Sequence, residues 1–536
     1  MNPTSVPAVE AATASNEAAK GVKHSSTNRQ IRGSSLLLVG RSLSMAVNFA
    51  VQVLIVRHLA KSDYGAFAYV LSTFVLVCQT IATFGLDRAM TRFVPIYHEK
   101  EDYDKLFGTI VMVVGTIAML GIITIVAVLG FQDIIANTMI SEQDGDRQLI
   151  MALLPIMIGL APVQAIDDLM AAMFATFASP RSIFFRKYVL APGLKLLVVG
   201  LLIVSGKDVF FLAQGYLAAT LLGVVIYSYV LVGVLRKQGL LQRFSFKTIN
   251  IPARELLAFT IPLLTSDLVY VMMNASDGFL LERFHNAAEV AAFRVVQPAA
   301  VLNQFVLASF TLLFTPAAAR MFARNDREGI NTLYWQTAIW IAVISFPVFA
   351  LTFSMAQPLT VLLYEQRYEH SWIILALLSF GYYFNAALGF NGLTLKVYGK
   401  LRYIVVINIV AAVLNIAINL LLIPSYGALG AACGTCGTMI IHNILKQAGL
   451  GFGTGIKLFD WRYTKMYVGI VLASAGLLAA QFVIRRTLPD ASAYIGFALA
   501  AGVALLVLAM NRKALNVGQT FPELLKIPLA RRFFGV

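Results

Sequence analysis

Long apolar runs alternate with short polar stretches along most of the chain. Fourteen of these runs reach about 17 to 25 residues, enough for an α-helix to cross a hydrocarbon core of roughly 30 Å. The windows lie near 33–56, 65–86, 106–130, 149–174, 183–204, 208–235, 255–281, 289–316, 329–355, 371–395, 401–423, 427–447, 464–484 and 491–510. This pattern predicts an all-α polytopic membrane protein with about fourteen transmembrane helices.

Two of the polar stretches are related in sequence. VRHLAKSDYGAFAYV (56–70) follows the first window, and LERFHNAAEVAAFRVV (281–296) follows the seventh. With one inserted residue, Asp63 aligns with Glu289. Because many transporters are built from internal repeats, this match predicts two pseudo-symmetric six-helix lobes followed by two C-terminal helices. Each stretch is then the external elbow between the first two helices of its lobe.

The repeat also sets the expected domain boundaries. The chain divides into a disordered cytoplasmic tail (1–30), an N-lobe (31–235), a cytoplasmic linker (236–254), a C-lobe (255–448), helices 13 and 14 (464–510) and a cytoplasmic tail (511–536).

Asp63 in the first elbow has two interpretations. It can cap the second helix, with Gly65 at the helix start, because the first N–H groups of a helix need an acceptor. It is also a candidate for coupling or gating, since the same elbow is used in both lobes.

Composition and charge agree with a membrane protein. The chain is 59% hydrophobic and 13% charged, whereas soluble proteins are about 45–50% apolar. With an even number of crossings, 31 of the 42 Lys and Arg residues fall on the side of the two tails and 8 on the other. This asymmetry predicts that both termini are cytoplasmic. The net charge of +15 is spread over the loops, which argues against nucleic-acid binding and favours contact with membrane lipids.

Ionisable residues inside the windows are candidate site residues, because each costs several kcal/mol in the hydrocarbon region unless it faces a cavity or a partner. The cations are Arg41, Lys195 and Arg294, and the anions are Asp167, Asp168, Asp267 and Asp277. Cations in both lobes suit a shared cavity for an anionic ligand such as a diphosphate, which Arg binds through two parallel hydrogen bonds.

Structural ion pairs remain the alternative for each cation. The repeat offset places Arg41 at a depth similar to that of Asp267, and Lys195 is long enough to reach the interface by snorkelling. Asp267 and Asp277 are candidates for coupling to a proton or a sodium ion. Asp168, near the end of the fourth window, is expected to be interfacial.

One acidic stretch raises the possibility of an enzyme. In SEQDGDRQ (141–148), Glu142, Asp144 and Asp146 offer oxygen ligands for a divalent metal, as in a membrane glycosyltransferase. A solvated acidic loop is the better explanation of the stretch, because no His or second acidic cluster accompanies it. No external loop exceeds about twenty residues, so we predict a protein that is not an enzyme and needs no metal or cofactor.

VRHLAKSDYGAFAYVLSTFV (56–75), followed by TFGLDRAMTRFVPIYHEK (83–100), resembles the Wzx-like polysaccharide flippases of the multidrug/oligosaccharidyl-lipid/polysaccharide superfamily. The shared features are an elbow with a leucine and an acid, a Gly followed by an aromatic residue, and a Gly-Leu pair before a basic cytoplasmic segment. The chain is also similar to lipid II flippases, which Arg41, Asp63 and Arg294 match. It departs from those proteins in lacking basic residues within the second window.

The resemblance implies two lobes that form a V, with helices 1, 2, 7 and 8 bordering a lateral opening to lipid. It further implies translocation of a polyprenyl-diphosphate-linked oligosaccharide across the bacterial inner membrane, alongside polysaccharide assembly proteins. Arg41, Arg294 and Lys195 would bind the substrate. An antiporter of cationic drugs is the main alternative, and it requires Asp267 or Asp277 rather than the arginines.

Overall fold

The computed structural model describes residues 39–141, 144–245, 247–488 and 491–515. Within these ranges the regular elements are all helices, and no β-strand occurs. The predicted tail at 1–30 and most of the tail at 511–536 lie outside the described residues, as does Glu142 of the acidic stretch.

Every one of the fourteen predicted windows coincides with a helix, which confirms the all-α polytopic fold. By length and hydropathy, twelve segments of the described chain can cross a membrane, and one of them, Leu401–Thr454, joins two helices. These segments contain thirteen helices, and Ala253–Phe284, with 32 residues, is the fourteenth helix that corresponds to a predicted window. We label the helices α1 Val39–His58, α2 61–83, α3 Tyr103–Gly130, α4 144–177, α5 Arg181–Ser205, α6 Val209–Lys237, α7 Ala253–Phe284, α8 287–323, α9 Arg327–Ser354, α10 Gln366–Val397, α11 401–426, α12 427–454, α13 Trp461–Thr487 and α14 Ser492–Met510.

Several of these helices are locally irregular. Gly427, with φ 54° and ψ −133°, separates α11 from α12, and the chain reverses direction there. π-Helical turns occupy Val70–Val75 in α2, Phe185–Leu190 in α5 and Ala350–Ser354 in α9. Such turns insert an extra residue into a helix and are frequent at functional sites.

The two elbows pack against each other on one face of the protein, which we call the elbow side. A single apolar core joins both lobes there, with Val56 and Leu154 from the N-lobe beside Ala291 and Leu375 from the C-lobe. The approach is closest at Gly65, where a Cβ atom would lie 1.8 Å from the backbone oxygen of Ala287. Gly65 is therefore required by the contact between elbows.

The opposite face, where α1 begins and α14 ends, is built differently, and we call it the termini side. The N-lobe has its own core there, around Met90 and Leu169, and the C-lobe has another, around Trp335 and Leu395. The start of α7 leans on the N-lobe through Leu256. A further core around Leu477 packs α13 and α14 on α9.

The first elbow corrects one expectation. α2 begins at Lys61, its N-cap is Ala60, and no side chain accepts a hydrogen bond at the cap. Asp63 lies in the first turn and Gly65 in the second. The prediction that Asp63 caps α2 was therefore wrong, because the helix starts two residues before it.

Candidate functional site

Arg294 of α8 lies in the interior at the seam between the lobes, with 8% of its surface exposed. Its Nη1 donates to Oε1 of Gln297 at 3.0 Å, and its Nη2 donates to the backbone oxygen of Asn274 at 2.7 Å. Its Nε has no acceptor among the described residues. No carboxylate of the described chain lies within 4.0 Å of this guanidinium. A buried cation without an ion pair is costly, so Arg294 is the principal site candidate.

The N-lobe faces Arg294 with two hydroxyl groups. Ser72 and Thr73 lie in the π-helical turn of α2, and both hydroxyls are buried without a partner in the described structure. Gly278 of α7 allows this approach: a Cβ there would lie 3.0 Å from Thr73 Oγ1 and 3.4 Å from Arg294 Nη2. Helices α2 and α8, one from each lobe, thus bring unsatisfied donors to one place, and Gly278 of α7 leaves room for them.

Asp277, the residue before Gly278, lies beside Arg294 and forms a second polar cluster with α11 and α12. Its Oδ1 accepts from Nδ2 of Asn419 at 2.6 Å, and its Oδ2 accepts from Oγ1 of Thr435 at 3.3 Å. The same Asn419 nitrogen lies 3.4 Å from Oδ1 of Asn415. Asp277 is only 4% exposed, so this carboxylate is held by neutral groups in the interior of the C-lobe.

A cavity of about 460 Å³ opens between α1 and α8, next to Gln297. Asn48 and Gln52 supply its polar wall on α1, and Pro298 lies on its α8 wall. Gln52 also donates to the Tyr64 hydroxyl at 2.8 Å, which ties α1 to α2. The cavity is therefore bordered by Gln297, which accepts a hydrogen bond from Arg294.

Arg41 does not reach Arg294. It is exposed near the start of α1, and its Nη1 donates to the backbone oxygen of Ala308 in α8 at 3.2 Å. Fourteen residues of helix, or about 20 Å, separate Ala308 from Arg294. Arg41 thus fastens α1 to α8 on the termini side.

Lys195 lies elsewhere again, in a polar cavity of about 250 Å³ inside the N-lobe. Gln79, Asp167 and Asp168 also line this cavity, and Gln79 Nε2 donates to Asp168 Oδ2 at 2.8 Å. The Lys195 ammonium lies 5.7 Å from the centre of the Tyr216 ring. The three predicted substrate-binding cations are therefore at three separate places in this conformation.

The predicted gating carboxylates occupy opposite faces. Asp267 of α7 forms an ion pair with Arg88, which follows α2, so its partner is not Arg41. This pair joins the lobes on the termini side. Asp63 lies on the elbow side within electrostatic range of Asp208 and Asp146.

Residues 31–322, more than half of the chain, match the family model for polysaccharide biosynthesis proteins. The chain belongs to this family. Residues 262–421 also match the MatE family model. A capsular polysaccharide biosynthesis protein, CapF of Staphylococcus aureus, is 24% identical over 179 residues, which cover 33% of this chain and 45% of CapF. An uncharacterised membrane protein of Methanocaldococcus jannaschii is 23% identical over 418 residues, 76% of this chain and 81% of that protein.

Solved structures place this polysaccharide biosynthesis protein in a known fold. The lipid II flippase MurJ in an inward closed conformation superposes with a TM-score of 0.70 at 14% identity, covering 89% of this chain and 98% of MurJ. An inward-facing multidrug resistance MATE transporter gives 0.63 at 15% identity, covering 75% of this chain and 92% of that one. The chain is a multi-pass member of the multidrug/oligosaccharidyl-lipid/polysaccharide superfamily, as its sequence predicted.

Sequence reasoning missed two charged residues of this family member. Glu282 is 0% exposed, and neither carboxylate oxygen has a side-chain donor among the described residues. The hydropathy window predicts that α7 ends at 281, whereas the helix continues to Phe284 and so includes Glu282. Arg88 was counted only as a cytoplasmic loop charge. A longer seventh window would have included Glu282, so the sequence contained a signal for that residue. The pairing of Arg88 with Asp267 depends on tertiary packing and has no such signal.

The acidic stretch has a structural contact. Oδ2 of Asp146 accepts from the backbone N–H of Ala287 at 3.0 Å and so holds the start of α4 to the second elbow. Glu142 lies outside the described residues, and the Asp144 side chain is not described. Over the described part of the chain, no three His, Cys, Asp or Glu side chains cluster as metal ligands would.

Proposed function

We propose that this protein translocates a polyprenyl-diphosphate-linked oligosaccharide across the bacterial inner membrane by alternating access, for polysaccharide export. Both termini would be cytoplasmic, so the termini side would receive the substrate and the elbow side would release it. The family match supports a flippase or transporter, and the polar seam supports an anionic, hydroxyl-rich cargo. The lipid tail would remain in the bilayer beside the gap between α1 and α8.

The observation that carries the proposal is the buried guanidinium of Arg294. Its present partners, Gln297 and a backbone carbonyl, are neutral, and one of its N–H groups is unused. Charge-assisted hydrogen bonds to phosphate are stronger than these, so a diphosphate entering the seam would displace the neutral partners. Arg41 at the α1–α8 gap would guide the phosphates in, and Lys195 would act within the N-lobe.

Asp277 is the proposed coupling residue. Its carboxylate is attracted to Arg294 and is held by amide and hydroxyl groups. When an anionic substrate neutralises Arg294, that attraction weakens, and the carboxylate then favours a bound proton or sodium ion. Asp267 would act as a gate through its pair with Arg88, and Asp63 would act at the first elbow.

The test is accumulation of lipid-linked oligosaccharide in cells that lack the gene, with the glycan probed on each face of the membrane. Wild type should relieve the accumulation. Arg294→Ala should flip about 100-fold more slowly, because two charge-assisted hydrogen bonds to phosphate are lost, and Arg294→Lys should recover part of the rate. Arg402→Ala, which removes an exposed charge in the first turn of α11, is the matched control.

Export that persists with both Arg41→Ala and Arg294→Ala at normal expression would remove the substrate assignment. Asp277→Asn should abolish dependence on the ion gradient while leaving binding of the lipid-linked substrate intact.

A cation-coupled drug antiporter is the second candidate, because the MatE match at 262–421 includes the buried Asp277. It predicts efflux of a cationic dye such as ethidium that Asp277→Asn abolishes and Arg294→Ala spares. Unchanged dye efflux after gene deletion would exclude it.

A further inference from the structure

A groove separate from the inter-lobe seam lies between the termini-side halves of α5 and α6. It encloses about 260 Å³. Its polar end carries Arg181, Ser182 and Arg186 from the first turns of α5. Its walls are apolar and are formed by Phe174, Phe185, Leu190, Ile226, Tyr227 and Val230. One basic end and one long apolar wall make the groove amphipathic.

Arg186 is built into this groove. Only 5% of the residue is exposed, and its guanidinium lies over the Tyr227 ring at 4.5 Å. Its Nη2 donates to Oδ1 of Asp167 at 2.5 Å and to the backbone oxygen of Asp167 at 2.7 Å. Its Nε is buried and has no acceptor among the described residues. A buried arginine that keeps one N–H unused can bind a further acceptor.

The charge of the groove selects the ligand. Asp167 neutralises one of the two arginines, so the polar end keeps about one positive charge. That charge matches a phosphodiester with a single negative charge, which arginine recognises through paired hydrogen bonds. The Ser182 hydroxyl, which lies 3.1 Å from the Ser179 hydroxyl, can add a donor when Ser179 donates to it.

The position of the groove selects a lipid rather than a soluble phosphate. Phe185 and Val230 of its walls are 55% and 39% exposed. Along the same helices, Leu197, Val225 and Tyr229 are also exposed, as expected of a lipid-facing surface. Arg181 lies at the first residue of α5, the level at which basic side chains meet lipid headgroups.

We propose that this groove binds an anionic phospholipid of the termini-side leaflet, with the phosphate on Arg181 and Arg186 and an acyl chain along Ile226 and Val230. The phosphate then competes with Asp167 for Arg186. Because Asp167 also lines the cavity that holds Lys195, the lipid changes the charge balance inside the N-lobe. This site does not depend on which substrate the protein transports.

Native mass spectrometry of the purified full-length protein tests the site by counting retained lipids during titration with phosphatidylglycerol or phosphatidylcholine. Phosphatidylglycerol should bind at least about 10-fold more tightly, because both lipids carry the same phosphodiester but the choline ammonium of phosphatidylcholine adds a positive charge, which the arginines repel. Arg181→Gln should remove most of that preference. Ile226→Trp, which fills the apolar wall and leaves both arginines in place, should weaken retention of phosphatidylglycerol.

Lys187→Gln is the matched control, because Lys187 is an exposed cation of the same helical turn that does not line the groove. It should bind phosphatidylglycerol as the wild type does. Equal retention of the two lipids by the wild type would overturn the proposal, as would an equal loss from Lys187→Gln and Arg181→Gln. If glycerophosphoglycerol, the same phosphodiester headgroup without acyl chains, displaces phosphatidylglycerol at equal concentration, the apolar wall contributes nothing and the lipid assignment fails.

Discussion

The elbow side and the termini side of this protein close in different ways. On the elbow side, buried apolar residues of both lobes form one continuous core, and the backbones of the two elbows touch at Gly65 and Ala287. On the termini side the main cores of the lobes are separate. Polar contacts such as Arg88–Asp267 and Tyr97–Glu255 join the lobes there, together with Leu256 of α7, which is buried against the N-lobe core.

The difference indicates which face is ready to open. Separating the elbow side exposes a large apolar surface at roughly 25 cal/mol per Å². Separating the termini side breaks partly exposed polar contacts, which are worth little, and exposes the smaller apolar contact at Leu256. The structure therefore lies close to a state that opens on the termini side. Transport requires that substrate or ion binding at the seam reverses this preference, since a ligand shifts a conformational equilibrium only through its differential affinity.

The largest expected effect comes from Gly65→Ala. A Cβ at this position collides with a backbone oxygen, which cannot move aside as a side chain can. The free energy that stabilises the closed elbow side should therefore fall by about 3 kcal/mol or more. The melting temperature in detergent and export in cells both measure this. Gly115→Ala on α3, where a Cβ meets nothing within 4 Å, should leave export unchanged and should not lower the melting temperature, because Ala favours a helix more than Gly does.

Arg367→Ala should come next. This side chain donates to three carbonyls at the end of α1, those of Val56, Arg57 and Leu59, at 2.5 to 2.9 Å. Its removal leaves those carbonyls without their cation and should destabilise the protein by about 2 to 3 kcal/mol. Equilibrium unfolding measures the loss, and full stability in the variant would contradict the view that the elbow side is the firm contact.

Arg88→Gln and Asp267→Asn should each change stability by under about 1 kcal/mol, because the pair is partly exposed and screened. Their effect should appear instead in the conformational equilibrium, as faster labelling by a soluble thiol reagent of a cysteine introduced at a buried position on the termini side. A double-mutant cycle isolates the pair. A coupling energy near that expected for Arg367 would remove the contrast between the two faces.

The smallest effect should come from pH. The loop before α13 is held by Asp460, whose pKa is lowered by hydrogen bonds from Arg462 and by its positive charge. A depressed folded-state pKa stabilises the fold above the unfolded value, near 3.9, and the gain is lost as pH falls through the folded value. The free energy of unfolding, measured from pH 6 to pH 3, should show this loss in the wild type, and the contribution of Asp460 should be absent in Asp460→Asn.

Most of the helical architecture could be predicted from the chain, because lipid requires every crossing to be a helix with its backbone groups paired internally. The relation between 56–70 and 281–296 likewise predicted two equivalent elbows, and the structure packs them together. The interpretation of Asp63 as the N-cap of α2 was wrong, because the helix begins at Lys61. The exact start of a helix is set by local backbone geometry, which hydropathy does not encode.

The candidate site was less predictable. Arg294 and Asp277 could be identified from the sequence alone, because a charged side chain within an apolar window is costly unless it has a partner or a cavity. Which charges meet is a tertiary property: Arg41, Lys195 and Arg294 looked equivalent in the sequence, yet they lie at the lateral gap, inside the N-lobe and at the seam. The partner of Asp267 is 179 residues away in Arg88, a separation that no local pattern reveals.

The π-helical turn in α2 gives that helix spare length. Val70–Val75 accommodates one additional residue while the helix stays continuous. Relative to a regular helix, the part of α2 after the turn is therefore rotated by about 100° about the helix axis with respect to the part before it. Conversion of the π-helical turn to a regular α-helix would rotate one half of α2 about the helix axis. This rotation would move the Ser72 and Thr73 hydroxyls away from Arg294. A movement of one residue in one helix is therefore enough to change what the seam offers its cargo.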